Sequence, residues 1–198
     1  MTISLRERRK QILRDEILDA ARTLLSERGY VAMSMDDLAS RVGISKPTLY
    51  SHFSTKDDIV VATVVREIER FLALIEAEAT TQTPLQRLTL VMDRLIAFHA
   101  EKEGLEPRAW TPEIFQLLCS REDALSCMRR VDSAIVALVQ ASIDSGEIDQ
   151  ELDAGTVASA FFALSSALRH VRFARGGSNH PRAAEMLTTM FVRGVRAR

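Results

Sequence analysis

Residues 28–60, RGYVAMSMDDLASRVGISKPTLYSHFSTKDDIV, decide how this chain folds. Gly29 stops a preceding amphipathic segment, about Arg9 to Arg28, whose Leu13, Ile17, Ala20, Ala21, Leu24 and Leu25 follow a 3.6-residue period. Ser34, with an acid three positions on at Asp37, is a capping-box-like start for a short helix from Met35 to Val42. Gly43 ends that helix and permits the positive φ of a tight turn. Ser45 caps a third helix reaching about Phe53, and Pro47 is tolerated in its first turn because no intrahelical donor is needed there. The Ser54 to Asp57 run repeats the cap pattern and opens a fourth helix to about Ala79, with Val64, Ile68, Phe71, Leu72 and Ile75 on one stripe. Ala39 is small where the second and third helices cross, Ile44 buries, and Leu38, Val42 and Leu49 fill the space between them. Helix three then projects Lys46, Thr48, Tyr50, Ser51 and His52, donors suited to phosphates and base edges rather than to a core. Three helices with a glycine-centred turn between the last two make a helix-turn-helix.

Beyond this stretch the chain continues as helices. Thr83 and Pro84 restart it to about Glu101, with Leu88, Val91, Met92, Leu95 and Phe98 inward. Residues 102–112, with one glycine and two prolines, read as a loop. Helices follow at Pro112 to Cys119, Glu122 to Ser145 (closed by Gly146), Asp153 to about Arg175, and Pro181 to about Gly194. The expectation is an all-α fold of nine helices, with a head over 1–56 and a helical body over 57–198. Eight glycines and five prolines in 198 residues agree with long, rarely interrupted helices. No apolar run approaches the ~18 residues of a membrane span, and MTISLRERRKQ lacks the apolar stretch of a secretory signal. Cys119 and Cys127 have no metal-ligand spacing, so a reducing, cytoplasmic setting with no metal and no cofactor is expected. No glycine-rich phosphate loop, nucleophile elbow or paired metal ligands occur, which argues against an enzyme.

The net charge of −1 hides an uneven distribution. Residues 1–56 hold 10 Lys/Arg and 7 Asp/Glu (+3), residues 57–163 hold 9 and 19 (−10), and residues 164–198 hold 7 and 1 (+6). A basic head on an acidic middle suits end-on docking to phosphate, though ordinary surface solvation gives the same sums.

The quoted stretch resembles the DNA-binding signature of tetracycline-repressor (TetR) family regulators. The matching positions are Gly29, Tyr30, Ser34, Met35, Asp37 to Ala39, Val42 to Ser45, Pro47 to Tyr50, His52, Phe53, Lys56 and Asp57. The resemblance implies a DNA-binding site made of Ser34, Ser45, Lys46, Pro47, Thr48, Tyr50, Ser51, His52 and Lys56. Lys46 is expected at a base edge, with guanine the acceptor. Pro47 and Thr48 are expected in the groove, and Tyr50, His52, Lys56 and Ser34 on phosphates. The competing readings are that Tyr50 packs on helix one, that His52 is a surface histidine, and that Ser34 and Ser45 are simply caps. Met35 and Asp36 depart from members that place Thr and Arg nearby, which shifts sequence reading to helix three. The leading Arg6, Arg8, Arg9, Lys10 and Arg14 either reach the flanking minor groove or form a solvated end.

The same resemblance implies a homodimer through the last two long helices. Val157, Phe161, Leu164, Leu168, Leu187, Met190 and Phe191 are the candidate interface, with small residues such as Ala158, Ala160 and Ala163 permitting close approach. An effector pocket is expected among helices five to eight, lined by Met92, Phe98, His99, Trp110, Phe115, Leu118, Phe162 and His170, or these are plain core. The function implied is a repressor released by a small molecule from a pseudo-palindromic operator in double-stranded DNA, with an activator or effector-independent regulator as the alternative.

Overall fold

The structure, a computed structural model, describes residues 4–77, 82–100, 111–174 and 182–197, without the side chains of 74, 77, 97–100 and 168–174. Among the described residues there are nine helices: α1 (Leu5–Ala32), α2 (Met35–Val42), α3 (Lys46–His52), α4 (Lys56–Ala77), α5 (Pro84–Ala100), α6 (Pro112–Cys119), α7 (Glu122–Asp144), α8 (Ala154–Ala174) and α9 (Ala183–Val195). The expected all-α fold of nine helices is what forms among the described residues.

Most of the helices open where a Ser, Thr or Asp oxygen can take an orphan backbone N–H. Ser4 with Glu7 and Ser34 with Asp37 form reciprocal capping boxes. The cap of α4 is Thr55, whose hydroxyl accepts from the Asp58 amide at 3.1 Å while the Asp58 carboxylate takes the Thr55 amide at 3.0 Å. It falls one residue later than the sequence pattern indicates, because the Asp57 carboxylate is taken up by Tyr30. Gly29 and Gly43 sit where a side chain would be strained. Gly29 interrupts α1 with φ 76° and ψ 173°, and Gly43 ends α2 in the left-handed region at φ 79° and ψ 31°. At Gly43 two successive amides, its own and that of Ile44, reach the Ala39 carbonyl at 3.0 Å each, which closes the turn before α3.

The chain divides into two compact units. The first comprises α1–α3, α4 up to Glu67, α6 and the start of α7, and the second holds the remainder of α4 and α7 with α5, α8 and α9. This division falls inside α4 and groups α6 with α1–α3. In the first unit Ile17, Ala21, Leu25, Leu38, Leu49 and Ile59 are fully buried. Arg66 ties α4 to α1 by a 2.6 Å contact with Asp19 and a 3.2 Å bond to the Asp15 carbonyl. Arg121, at the start of α7, reaches Asp58 on the first turn of α4 at 2.9 Å and holds that carboxyl below its usual range.

The core of the second unit is built from Phe71, Leu72, Leu88, Met92, Ile96, Ile135, Val139, Val157, Phe161 and Phe191. Glu147 closes it at one end. Its carboxylate accepts from the Thr83 hydroxyl at 2.6 Å and the Leu85 amide at 3.2 Å, so that a residue beyond α7 caps α5. The last described residues pair with the same loop, through the Asp149 amide to the Val195 carbonyl and the Ala197 amide to Glu147. No helix among the described residues is long and apolar enough to cross a membrane.

Candidate DNA-binding site

The short helix α3 has one buried side and one open one. Leu49 is fully buried and Phe53 nearly so, which fixes the rotation of α3. Ser45, Lys46, Pro47, Tyr50 and Ser51 are left exposed, with Thr48 and His52 half-buried. All the residues expected to contact DNA thus lie in the first unit, and most of them share the open side of α3.

Their hydrogen bonds separate structural duties from free donor capacity. The Ser45 hydroxyl accepts from the Thr48 amide at 3.3 Å and lies 2.8 Å from the Thr48 hydroxyl. Ser34 caps α2 by accepting from the Asp37 amide, and its hydroxyl donates to the Asp37 carboxylate at 2.5 Å. That bond, with Arg28 also at 3.0 Å from Asp37, keeps the Asp37 carboxyl below its usual range. Both serines are therefore caps first. Tyr50 is 51% exposed. Ser51 donates to the Thr48 carbonyl at 2.7 Å. Lys46 forms a 2.6 Å ion pair with Asp36, on the first turn of α2.

His52 ends α3 beside a basic pair on α1. Arg14 donates to the His52 carbonyl at 3.4 Å and stacks over the Phe53 ring at 4.1 Å. Burial, with Lys10 and Arg14 nearby, pushes the His52 imidazole below its ordinary range, which favours its neutral form. Its buried Nδ1 has no partner among the described residues. Lys56 is likewise half-buried. Its ammonium donates to the Tyr30 carbonyl at 3.1 Å and sits 4.3 Å over the Tyr30 ring, which leaves two of its three N–H donors for a phosphate.

Tyr30 completes this cluster by donating its hydroxyl to Asp57 at 2.7 Å. That bond, then burial, pushes the phenol up to about 12 from an ordinary 10.0. A raised phenol favours the neutral form in the folded state, so its contribution is complete below pH ~10 and is lost as pH rises toward 12. Tyr30→Phe is expected to cost about 1–2 kcal/mol at pH 8 and to flatten the alkaline loss of stability. Urea unfolding at pH 8 and pH 11 measures both. Parallel alkaline losses in the two proteins would show that Tyr30 carries none of the dependence.

Sequence reasoning missed three of these partners: Asp36 for Lys46, Tyr30 for Lys56, and Arg14 beneath Phe53. Asp36 stood out in the sequence only as a departure from the family pattern, and nothing local marked Tyr30 or Arg14 as a partner.

The residues expected to line a pocket are scattered. Met92 is fully buried in the core of the second unit, with Phe162 half-buried against it. In the first unit Leu118 is fully buried and Phe115 is 54% exposed. The side chains of Phe98, His99, Trp110 and His170 lie outside the described residues, as does that of Leu168. Of the expected interface residues, Val157, Phe161 and Phe191 are buried within the second unit, Leu164 and Leu187 are half-buried, and Met190 is 60% exposed.

Comparison with known proteins agrees with this geometry. The family model for bacterial regulatory proteins of the tetR family matches residues 17–63, which span the capped helices just described. The transcriptional activator FasR of Mycolicibacterium smegmatis is 30% identical over 193 residues, covering 84% of this chain and 83% of its own. The chain belongs to the TetR family. The repressor KstR of the same organism is 37% identical over 91 residues, 46% of this chain and 42% of its own. Among solved structures, the fatty acid degradation regulator FadR of Bacillus halodurans superimposes with a TM-score of 0.78 at 19% identity, covering 93% of this chain and 97% of its own. FadR of Bacillus subtilis, solved with stearoyl-CoA, gives 0.76 at 20% identity, covering 92% and 99%. This TetR-family chain is a DNA-binding transcriptional regulator with a helix-turn-helix head.

Proposed function

We propose that this regulator acts in the cytoplasm, without catalytic turnover, as a homodimer on a pseudo-palindromic operator, and that a small molecule bound in its helical body changes its affinity for DNA. The observation that carries the reading is the open side of α3, where Lys46, Pro47, Tyr50 and Ser51 stand exposed on a helix whose other side is locked by Leu49. In a two-fold pair the two α3 helices would enter successive major grooves, about 34 Å apart or a multiple of it. Support for the pair comes from α8. Residues 154–168 contain no charge, and the exposed Thr156, Ser159, Ala160 and Ala163 fall on one side of the helix. An exposed helix face without a charge is unusual for a solvated surface. On α9, Met186 and Met190 are exposed one turn apart. A second copy covers both.

Repression with release by an effector is the first reading. Activation is the second, favoured by FasR, the activator whose similarity extends through the body. Because FadR of Bacillus subtilis was solved with stearoyl-CoA, long-chain acyl-CoA is the first effector to test. α4 contributes residues to both units, so it is the element through which an effector would act. The expected coupling is about 1–3 kcal/mol, arising from unequal affinity for two states.

The test is gel-shift titration of the protein on its own upstream DNA and on random duplex, with and without stearoyl-CoA. Lys46→Ala is expected to lose ~1–3 kcal/mol of discrimination at one base position. Lys56→Ala is expected to weaken binding to all sequences and to flatten the salt dependence. Equal losses on specific and random DNA for both variants would remove the division of labour between them.

A further inference from the structure

The pairing of Lys46 with Asp36 is not explained by folding. Their side chains are 57% and 63% exposed, and an exposed ion pair of this kind adds little stability. The cap of α2 does not need Asp36 either, because Asp37 already makes both bonds of the capping box with Ser34. The carboxylate nevertheless stands 2.6 Å from the ammonium of the residue assigned to base reading. Before any base is reached it repels phosphate and takes one of the three Lys46 donors. Such a group lowers affinity for every duplex except one that offers it a donor.

The major groove offers two such donors, the N4 amine of cytosine and the N6 amine of adenine, whereas guanine and thymine present O6 and O4 acceptors. Lys46 and Asp36 together make a fixed donor–acceptor pair, matched to neighbouring bases that show an acceptor and an amine side by side. We propose that Asp36 is a second sequence-reading residue of this regulator, accepting a hydrogen bond from the exocyclic amine of a cytosine or adenine next to the guanine contacted by Lys46. The inference rests on the DNA-reading role of Lys46 proposed above. It adds that the carboxylate sets specificity by its cost on the wrong sequence.

Selection from a randomised duplex library, followed by titration of single-base variants of the selected site, tests this with the full-length protein. The unaltered protein should enrich guanine followed or preceded by one amine-bearing base, and the base recovered identifies cytosine or adenine as the source. Asp36→Ala should keep the guanine and lose about 10-fold of discrimination at the neighbouring position. It should also bind random duplex more tightly than the unaltered protein. Asp36→Asn, nearly isosteric, should move the preference toward adenine, for which an amide is bidentate. An Asp36→Ala protein that binds every duplex more tightly with unchanged base preferences would overturn the proposal, leaving Asp36 as repulsion alone. Retained preference in both variants would overturn it as well. If the unaltered protein selects no sequence at all, the DNA-reading role of Lys46 falls first and this inference with it.

Discussion

Phe161→Ala is expected to destabilise the second unit by about 3–5 kcal/mol, the range for deleting a buried aromatic side chain. Phe161 is fully buried. It meets Phe162 edge-on at 5.5 Å and 89°, and Phe191 of α9 at 5.8 Å and 78°. Such offset geometries add roughly 0.5–1.5 kcal/mol each beyond the area buried. The alanine leaves a void that rigid helix backbones on α5, α8 and α9 cannot close, so the cavity cost is not relaxed away. Phe161→Leu, which fills most of the volume, should lose clearly less. Phe162→Ala, at a half-buried position, serves as the comparison and should lose less than Phe161→Ala. Urea unfolding followed by circular dichroism gives the three values. A Phe161→Ala loss near 1 kcal/mol, or one matched by Phe162→Ala, would mean that the ring is not central to this core.

Where sequence reading succeeded, the controlling physics was local. Ser34, Ser45 and Asp153 sit at helix starts because a short side-chain oxygen serves an amide two or three residues on, and that geometry involves only adjacent residues. Gly43 ends α2 because only one backbone conformation makes the turn. At α4 the local pattern pointed to Ser54 with Asp57, but the cap is Thr55 with Asp58, and the Asp57 carboxylate instead takes a bond from Tyr30, 27 positions away. The same limit applies at the site. That Lys46 would be exposed follows from the period of α3, but its partner Asp36 is brought in by the turn at Gly43. Lys56 could be placed at a helix start, yet not over the ring of Tyr30.

The body was least legible. An apolar stripe on α8 marks residues that must be covered without saying by what, and the subunit's own core takes Val157 and Phe161. A charge-free outer face becomes legible only once the exposed residues of the helix are known. The expected pocket residues failed to declare themselves for a related reason. Aromatic and sulfur-bearing side chains such as Met92 and Phe162 fill cores as readily as they line cavities.

Ala160→Glu on the outer side of α8 is expected to separate the proposed dimer and to lower operator affinity by a factor of about 10²–10⁴, the usual gain from joining two binding modules. Ala160 is exposed in the single subunit and has no place in its core, so the substitution leaves folding of the chain untouched. In a two-fold interface each residue meets its symmetry-related neighbourhood, and one substitution therefore introduces two carboxylates. On a small-residue face those charges would be desolvated without a partner, which costs several kcal/mol per ion. One α3 on its own retains the phosphate contacts of a half-site, so weak, salt-sensitive binding should survive while the dependence on half-site spacing disappears. Sedimentation equilibrium measures the first effect and gel shift on duplexes with altered spacing the second. Ala160→Glu with an unchanged mass and unchanged spacing dependence would place the two-fold contact elsewhere on the chain. Restoration of the dimer by Ala160→Ser, which matches the neighbouring Ser159 in size and polarity, would show that charge rather than volume is what this face excludes.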